Sequence, residues 1–270
     1  MPQLTDFHYK ITGPENGTHW VFLHGLMGFL NNWQKVIAGL GPEQSCLTYD
    51  QRGHGRSWKP QTGYHPEDYS SDLKMILQSL GWQKITLVGH SMGGRNALNF
   101  AARFPEVVER LILEDISPEG RADQLTYFKN LLGVVPVPFP DRESARAFFR
   151  DEFAQVAKTR DNPAVIGAFL NANLEEQPDG IMDFRFSQKA IFESVGAGLE
   201  RSRWDEVAVL RCPTLLIRGE NSQELSQETF ERMQGANPLI QGVIIPRAGH
   251  WVHSDQPQMY LQAIRQFAGL

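Results

Sequence analysis

Residues 84–104 read KITLVGHSMGGRNALNFAARF, and this stretch decides the fold. Ile85, Thr86, Leu87 and Val88 form an apolar, β-branched run that predicts a buried strand. Gly89 breaks the run, and from Arg95 to Arg103 the pattern becomes helical, so a strand passes into a helix through a very tight turn. Ser91 stands at the tip, inside a Gly-x-Ser-x-Gly motif filled by Gly89, His90, Ser91, Met92 and Gly93, with Gly94 beyond. A side chain at such an apex is held in a strained backbone conformation, and the positions two before and two after it must lack a Cβ to let strand and helix pass closely. The hydroxyl is then raised above the sheet edge, over a helix N-terminus whose unpaired N–H groups favour a developing negative charge. The flanking strand and helix make Ser91 a candidate nucleophile rather than the structural serine of an ordinary turn.

Working outward, a strand predicted at 19–23 runs into His24-Gly25-Leu26-Met27-Gly28. This apolar, glycine-bracketed loop suits backbone donors, so the N–H groups of Leu26 and Met92 are the candidate oxyanion hole, and His24 reads as a ring that ties down the loop. Strands are also expected at 7–12, 46–49, 108–116, 213–218 and 241–245, and helices at 32–40, 66–80, 226–234 and 256–267. Asp50-Gln51-Arg52-Gly53-His54-Gly55-Arg56-Ser57 reads as internally paired scaffolding. It is no phosphate cradle, because no lysine or helix start follows at the spacing such a loop requires. Asp115 closes the 108–116 strand, and in a parallel sheet all strand C-termini open on one edge, so Asp115 and Ser91 belong to the same rim.

A serine hydroxyl needs a base within hydrogen-bond reach. His250, after the last strand and freed by Gly249, is the preferred one of eight histidines; His253 is its rival, and a His250-x-x-His253 metal pair lacks a visible third ligand. Arg95, four residues after Ser91, is a candidate substrate-binding group able to take a carboxylate.

The composition narrows the class. With 270 residues, 41% hydrophobic and 21% charged, the chain can bury one large core with an insert, and a net charge of −5 without a basic stripe argues against nucleic acid as a partner. Cys46 and Cys212 have no metal-like spacing and fit buried thiols in a reducing, cytoplasmic setting; no signal peptide and no run of about 18 apolar residues is visible.

Residues 118–205 contain no convincing buried strand but several helical patches, at 122–132, 144–157, 163–173 and 187–195, interrupted by the proline-rich 134–140. The expected organisation is a core of residues 1–117 and 206–270 with a helical lid, 118–205, over the carboxyl edge. Many aromatic residues there would bury the lid, and a few would line an acyl pocket.

Through HGLMG (24–28), DQRGHGRS (50–57), GHSMGG (89–94) and AGHWVH (248–253) the sequence resembles the α/β-hydrolase superfamily along nearly its whole length. The resemblance implies an α/β fold with a mostly parallel central sheet flanked by helices, and a triad in the order serine, acid, histidine. Most members place an aspartate after the penultimate strand, but here that loop reads GENSQE (219–224), with Ser222 where the aspartate usually stands. EDISP (114–118) instead resembles a smaller branch of bacterial esterases whose acid ends the strand after the elbow helix. Asp115 is therefore the expected acid, with Glu220 and Glu224 as rivals, while Glu114 should face the opposite side of the strand. The expectation is a serine carboxylesterase for small to medium acyl esters, with no cofactor, metal or membrane partner. A menaquinone-pathway lyase (its segment GxSxGGR is similar), a lactonase or carbon–carbon hydrolase, and a ligand receptor with feeble turnover are the alternatives. The oligomeric state is not legible.

Overall fold

The computed structural model describes residues 2–160 and 162–270. A seven-stranded sheet forms the centre: β1 (Tyr9–Thr12), β2 (Thr18–Leu23), β3 (Gln44–Tyr49), β4 (Ile85–His90), β5 (Val108–Glu114), and, after a short hairpin of β6 (Leu174–Glu176) and β7 (Met182–Phe184), β8 (Thr214–Gly219) and β9 (Ile240–Ile245). Its order is β1-β3-β2-β4-β5-β8-β9. Only β1 is antiparallel to its neighbour; every other pairing is parallel. Twelve helices accompany it: α1 (Gln34–Leu40), α2 (Pro66–Leu80), α3 (Met92–Arg103), α4 (Gln124–Gly133), α5 (Arg142–Asp151), α6 (Phe153–Val156), α7 (Pro163–Ala172), α8 (Gln188–Glu200), α9 (Trp204–Ala208), α10 (Gln227–Ala236), α11 (Val252–Asp255) and α12 (Pro257–Ala268), among the described residues.

Strand alternation builds a core on each sheet face, because successive side chains point to opposite sides. Val21 and Leu23, Leu87, Leu111 and Leu113, and Leu216 pack on one face with residues of α2 and α3. Trp20 and Phe22, Val88, Ile112, and Leu215 and Ile217 pack on the other with α1 and α12. Thus the central strands are apolar on both sides and read as continuous hydrophobic runs. α2 starts at Pro66 and stops at Gly81, whose φ of 71° only glycine takes without cost.

The segment between β5 and β8 differs from its expectation in two ways. It contains the β6–β7 hairpin, whose strands are too short to show a two-residue period, and its 144–157 helix is two helices, α5 and α6. Phe139, Phe148, Phe153, Phe184 and Phe186 belong to a separate apolar cluster there, joined to the sheet side by Met27 and the partly buried Leu26 and Trp251.

Candidate active site

β4 ends at His90 and α3 begins at Met92, leaving Ser91 alone in the turn with φ 54° and ψ −121°. A Cβ on Gly89 would strike the Gly93 carbonyl, and one on Gly93 would strike the carbonyls of Leu23 and His24. The glycine spacing is therefore set by contact between backbones. Four described non-glycine residues have positive φ, namely Met27, Ser91, Asp115 and Arg247. They follow β2, β4, β5 and β9, so the local strain gathers at one sheet edge, as it does at functional sites.

That edge carries a cavity of about 280 Å³. Leu26, Ser91, Met92, Arg95, Asp115 and His250, the residues singled out from sequence, all line it. Asp115, one residue past β5, is buried. Its Oδ2 accepts from His250 Nδ1 at 2.8 Å and also from the Ser222 hydroxyl, while Oδ1 accepts from the Gly219 N–H at 3.2 Å. Burial pushes the Asp115 carboxyl up against the opposing pull of His250. Burial pushes His250 down, but the bond and charge of Asp115 outweigh it, so its pKa lies above the ordinary 6.5. With Nδ1 donating to Asp115, Nε2 is the nitrogen left to act as a base.

The rival groups are engaged elsewhere. The exposed Glu220 accepts the Arg247 N–H at 2.8 Å, and Glu224 is held by Gln124 and Arg160, each at 2.8 Å. His253 Nδ1 bonds Glu114 at 2.8 Å, and its backbone N–H donates to the same carboxylate at 2.9 Å. Glu114 does face the opposite side from Asp115, beside His253, and each carboxylate takes its own imidazole.

Two backbone donors border Ser91. Met92 is the first residue of α3, where a helix leaves its N–H unpaired. Leu26 lies in the turn closed by Gly28 N–H to Gly25 C=O at 3.1 Å. A Cβ on Gly25 would sit 3.2 Å from Ser91 Cβ, so this loop passes directly beside the serine. His24 is the structural ring it reads as: Nδ1 donates to the Gly25 carbonyl at 2.8 Å, and Nε2 accepts the Gln51 N–H at 3.0 Å. Burial brings its pKa down to about 4, keeping it neutral at pH 7. The 50–57 loop is paired internally only in part: Asp50 accepts the Arg56 N–H at 2.9 Å, but the arginine side chains reach outward, Arg52 gripping Asp72 of α2 by two bonds and Arg56 meeting Glu175 at 3.0 Å.

Three participants escaped the sequence reading. Ser222 was visible as a residue in an unusual place, but its bond to Asp115 depends on the path of the 219–224 loop. His90 Nε2 donates to the His250 carbonyl at 3.0 Å, and its ring lies 4.7 Å from that of His250. Its only sequence signal is its place beside Ser91. Gln124 joins Glu224 to the cavity wall, which no local pattern announces.

A family model described as alpha/beta hydrolase fold matches residues 19–257. The chain is 31% identical over 261 residues to the sn-1-specific diacylglycerol lipase ABHD11 of Danio rerio, covering 94% of this chain and 80% of that protein. It is 30% identical over 250 residues to an esterase of Mycobacterium tuberculosis, covering 91% and 80%. Among solved structures, E-2-(acetamidomethylene)succinate hydrolase superposes with a TM-score of 0.83 at 25% identity, covering 98% of this chain and 95% of that one.

Proposed function

This chain belongs to the α/β-hydrolase fold family, and on that premise we propose that it is a serine carboxylesterase acting on small to medium acyl esters through Ser91, His250 and Asp115. The observation that carries the reading is the 2.8 Å bond from His250 to Asp115 on a cavity wall shared with Ser91. The lipase and esterase relatives support the ester class. In this reading Ser91 Oγ attacks the ester carbonyl while His250 Nε2 takes its proton; the proton then goes to the departing alkoxide, which leaves as the alcohol. Water, deprotonated by the same ring, attacks the acyl-enzyme and frees the acid and the Ser91 hydroxyl. The N–H groups of Leu26 and Met92 hold the oxyanion at each tetrahedral stage, where losing one such donor costs roughly 100- to 1,000-fold in kcat.

Residues 118–205 are proposed to act as a cap. Tyr127, Phe128, Ile166 and Phe169 from this segment line the same cavity as Ser91, giving an acyl group an apolar surface. Among the described residues no helix is long and apolar enough to cross a membrane. A cytoplasmic setting is proposed with it, in keeping with two buried unpaired thiols.

The test is steady-state hydrolysis of p-nitrophenyl acetate and butyrate. Sustained turnover is expected, falling by several orders of magnitude in Ser91→Ala. A burst without turnover, or turnover indifferent to Ser91→Ala, would overturn the reading, the former in favour of a receptor.

A further inference from the structure

Two arginines line the cavity, and the protein treats them differently. Arg160 is neutralised: Nη1 donates to Glu224 at 2.8 Å, Nη2 lies 2.9 Å from Asp123, and the guanidinium stacks 4.1 Å from the Tyr127 ring centre. Arg95 has no carboxylate within ion-pair distance among the described residues. Its one side-chain hydrogen bond is a long one, Nη2 to Gln124 Oε1 at 3.5 Å. Arg95 is partly buried, its guanidinium carries five donors, and charge withdrawn from water is ordinarily paired or fully hydrogen-bonded. Burial accordingly lowers the Arg95 pKa, with the more distant Glu224 charge opposing this.

The niche around Arg95 is shaped for it. Its head lies against Gly198 of α8, where any Cβ would collide with Nη1, and Gly120 packs in turn against the Gly198 carbonyl. The side chain leaves α3 one turn after the nucleophile, the Arg95 N–H donating to the Ser91 carbonyl at 3.0 Å. The cavity lining is thus amphiphilic, combining Arg95, Gln124 and Ser194 with Phe128, Ile166 and Phe169.

We propose that Arg95 binds an anionic group of the substrate, a carboxylate or phosphate, so that the natural ester joins an apolar arm to a charged one. This rests on the esterase reading and narrows its substrate class. The planar fork of an arginine suits either anion, through two parallel N–H···O bonds.

The experiment compares matched pairs with the purified protein: monobutyl glutarate against dibutyl glutarate, and a butyryl ester of glycerol phosphate against the same ester of glycerol. The charged member of at least one pair is expected to show the higher kcat/KM, and the pair with the larger preference identifies the anion. In Arg95→Gln the charged-to-neutral ratio should fall roughly 10- to 100-fold, with partial retention in Arg95→Lys. Glutarate or inorganic phosphate should also bind Ser91→Ala by calorimetry, and not its Arg95→Gln double variant. Equal kcat/KM within both pairs for the unaltered protein, or a ratio unmoved by Arg95→Gln, overturns the proposal. Should no ester be turned over while the calorimetric binding persists, the esterase reading fails and the anion site stands.

Discussion

One oxygen of Asp115 receives both the His250 ring and the Ser222 hydroxyl, which places position 222 within one bond of the carboxylate proposed to orient the base. Asp115, just past β5, and Ser222, in the loop past β8, thus meet at one carboxylate. Asp115→Asn should lower kcat by about 10⁴-fold, because the amide can present a donor to Nδ1 and stabilise the wrong tautomer. Adding Ser222→Asp should restore at least tenfold of that loss, measured as kcat on p-nitrophenyl butyrate; no recovery would mean that the loop cannot present a carboxylate to the ring. Ser91, Asp115 and His250 were legible because each follows a strand in a sheet whose carboxyl ends share a rim. The Ser222 contact was not, since it is made by a loop whose course no periodicity encodes.

The end of β5 acts as a two-sided grip on one stretch of chain. Glu114 and Asp115 alternate across the strand, and each seizes a histidine of residues 250–253, so the turn carrying His250 is fixed before and after α11 begins. Attraction from His253 and His90 outweighs burial and brings the Glu114 carboxyl down to about 2. Glu114→Ala leaves the buried His253 ring and backbone N–H without their acceptor and should destabilise the fold by about 1–3 kcal/mol in urea denaturation, the cost of unsatisfied buried donors. At this scale the sequence was informative wherever an element was long or well punctuated, as with α2 between Pro66 and Gly81. It failed at β6 and β7, because three residues cannot display an alternation. The break between α5 and α6 likewise lies inside a run that stays apolar at helical spacing.

Taken as a whole, the molecule brings charge to His250 from distant parts of the chain. Asp115 and Glu114 of the β5 end and Glu224 beyond β8 raise its pKa, and the imidazole of His90 lies 4.7 Å from its ring. As the proposed base, His250 would work only when neutral, so kcat/KM should fall as pH drops through this pKa, with its acid limb above pH 6.5. Glu224→Gln removes one raising charge and should move that limb to lower pH; a limb that stays in place or moves upward would contradict the assignment. The parallel strands of the central sheet were legible in the sequence because buried parallel strands are continuous apolar runs. The wall opposite Ser91 was not, being assembled from helices whose mutual packing is non-local. Seating the proposed acid just past β5 also has an evolutionary corollary. The turn beyond β8, relieved of supplying that carboxylate, has residue 224 free to join the cavity wall, so drift there can retune which molecules are accepted while the reacting atoms stay where they are.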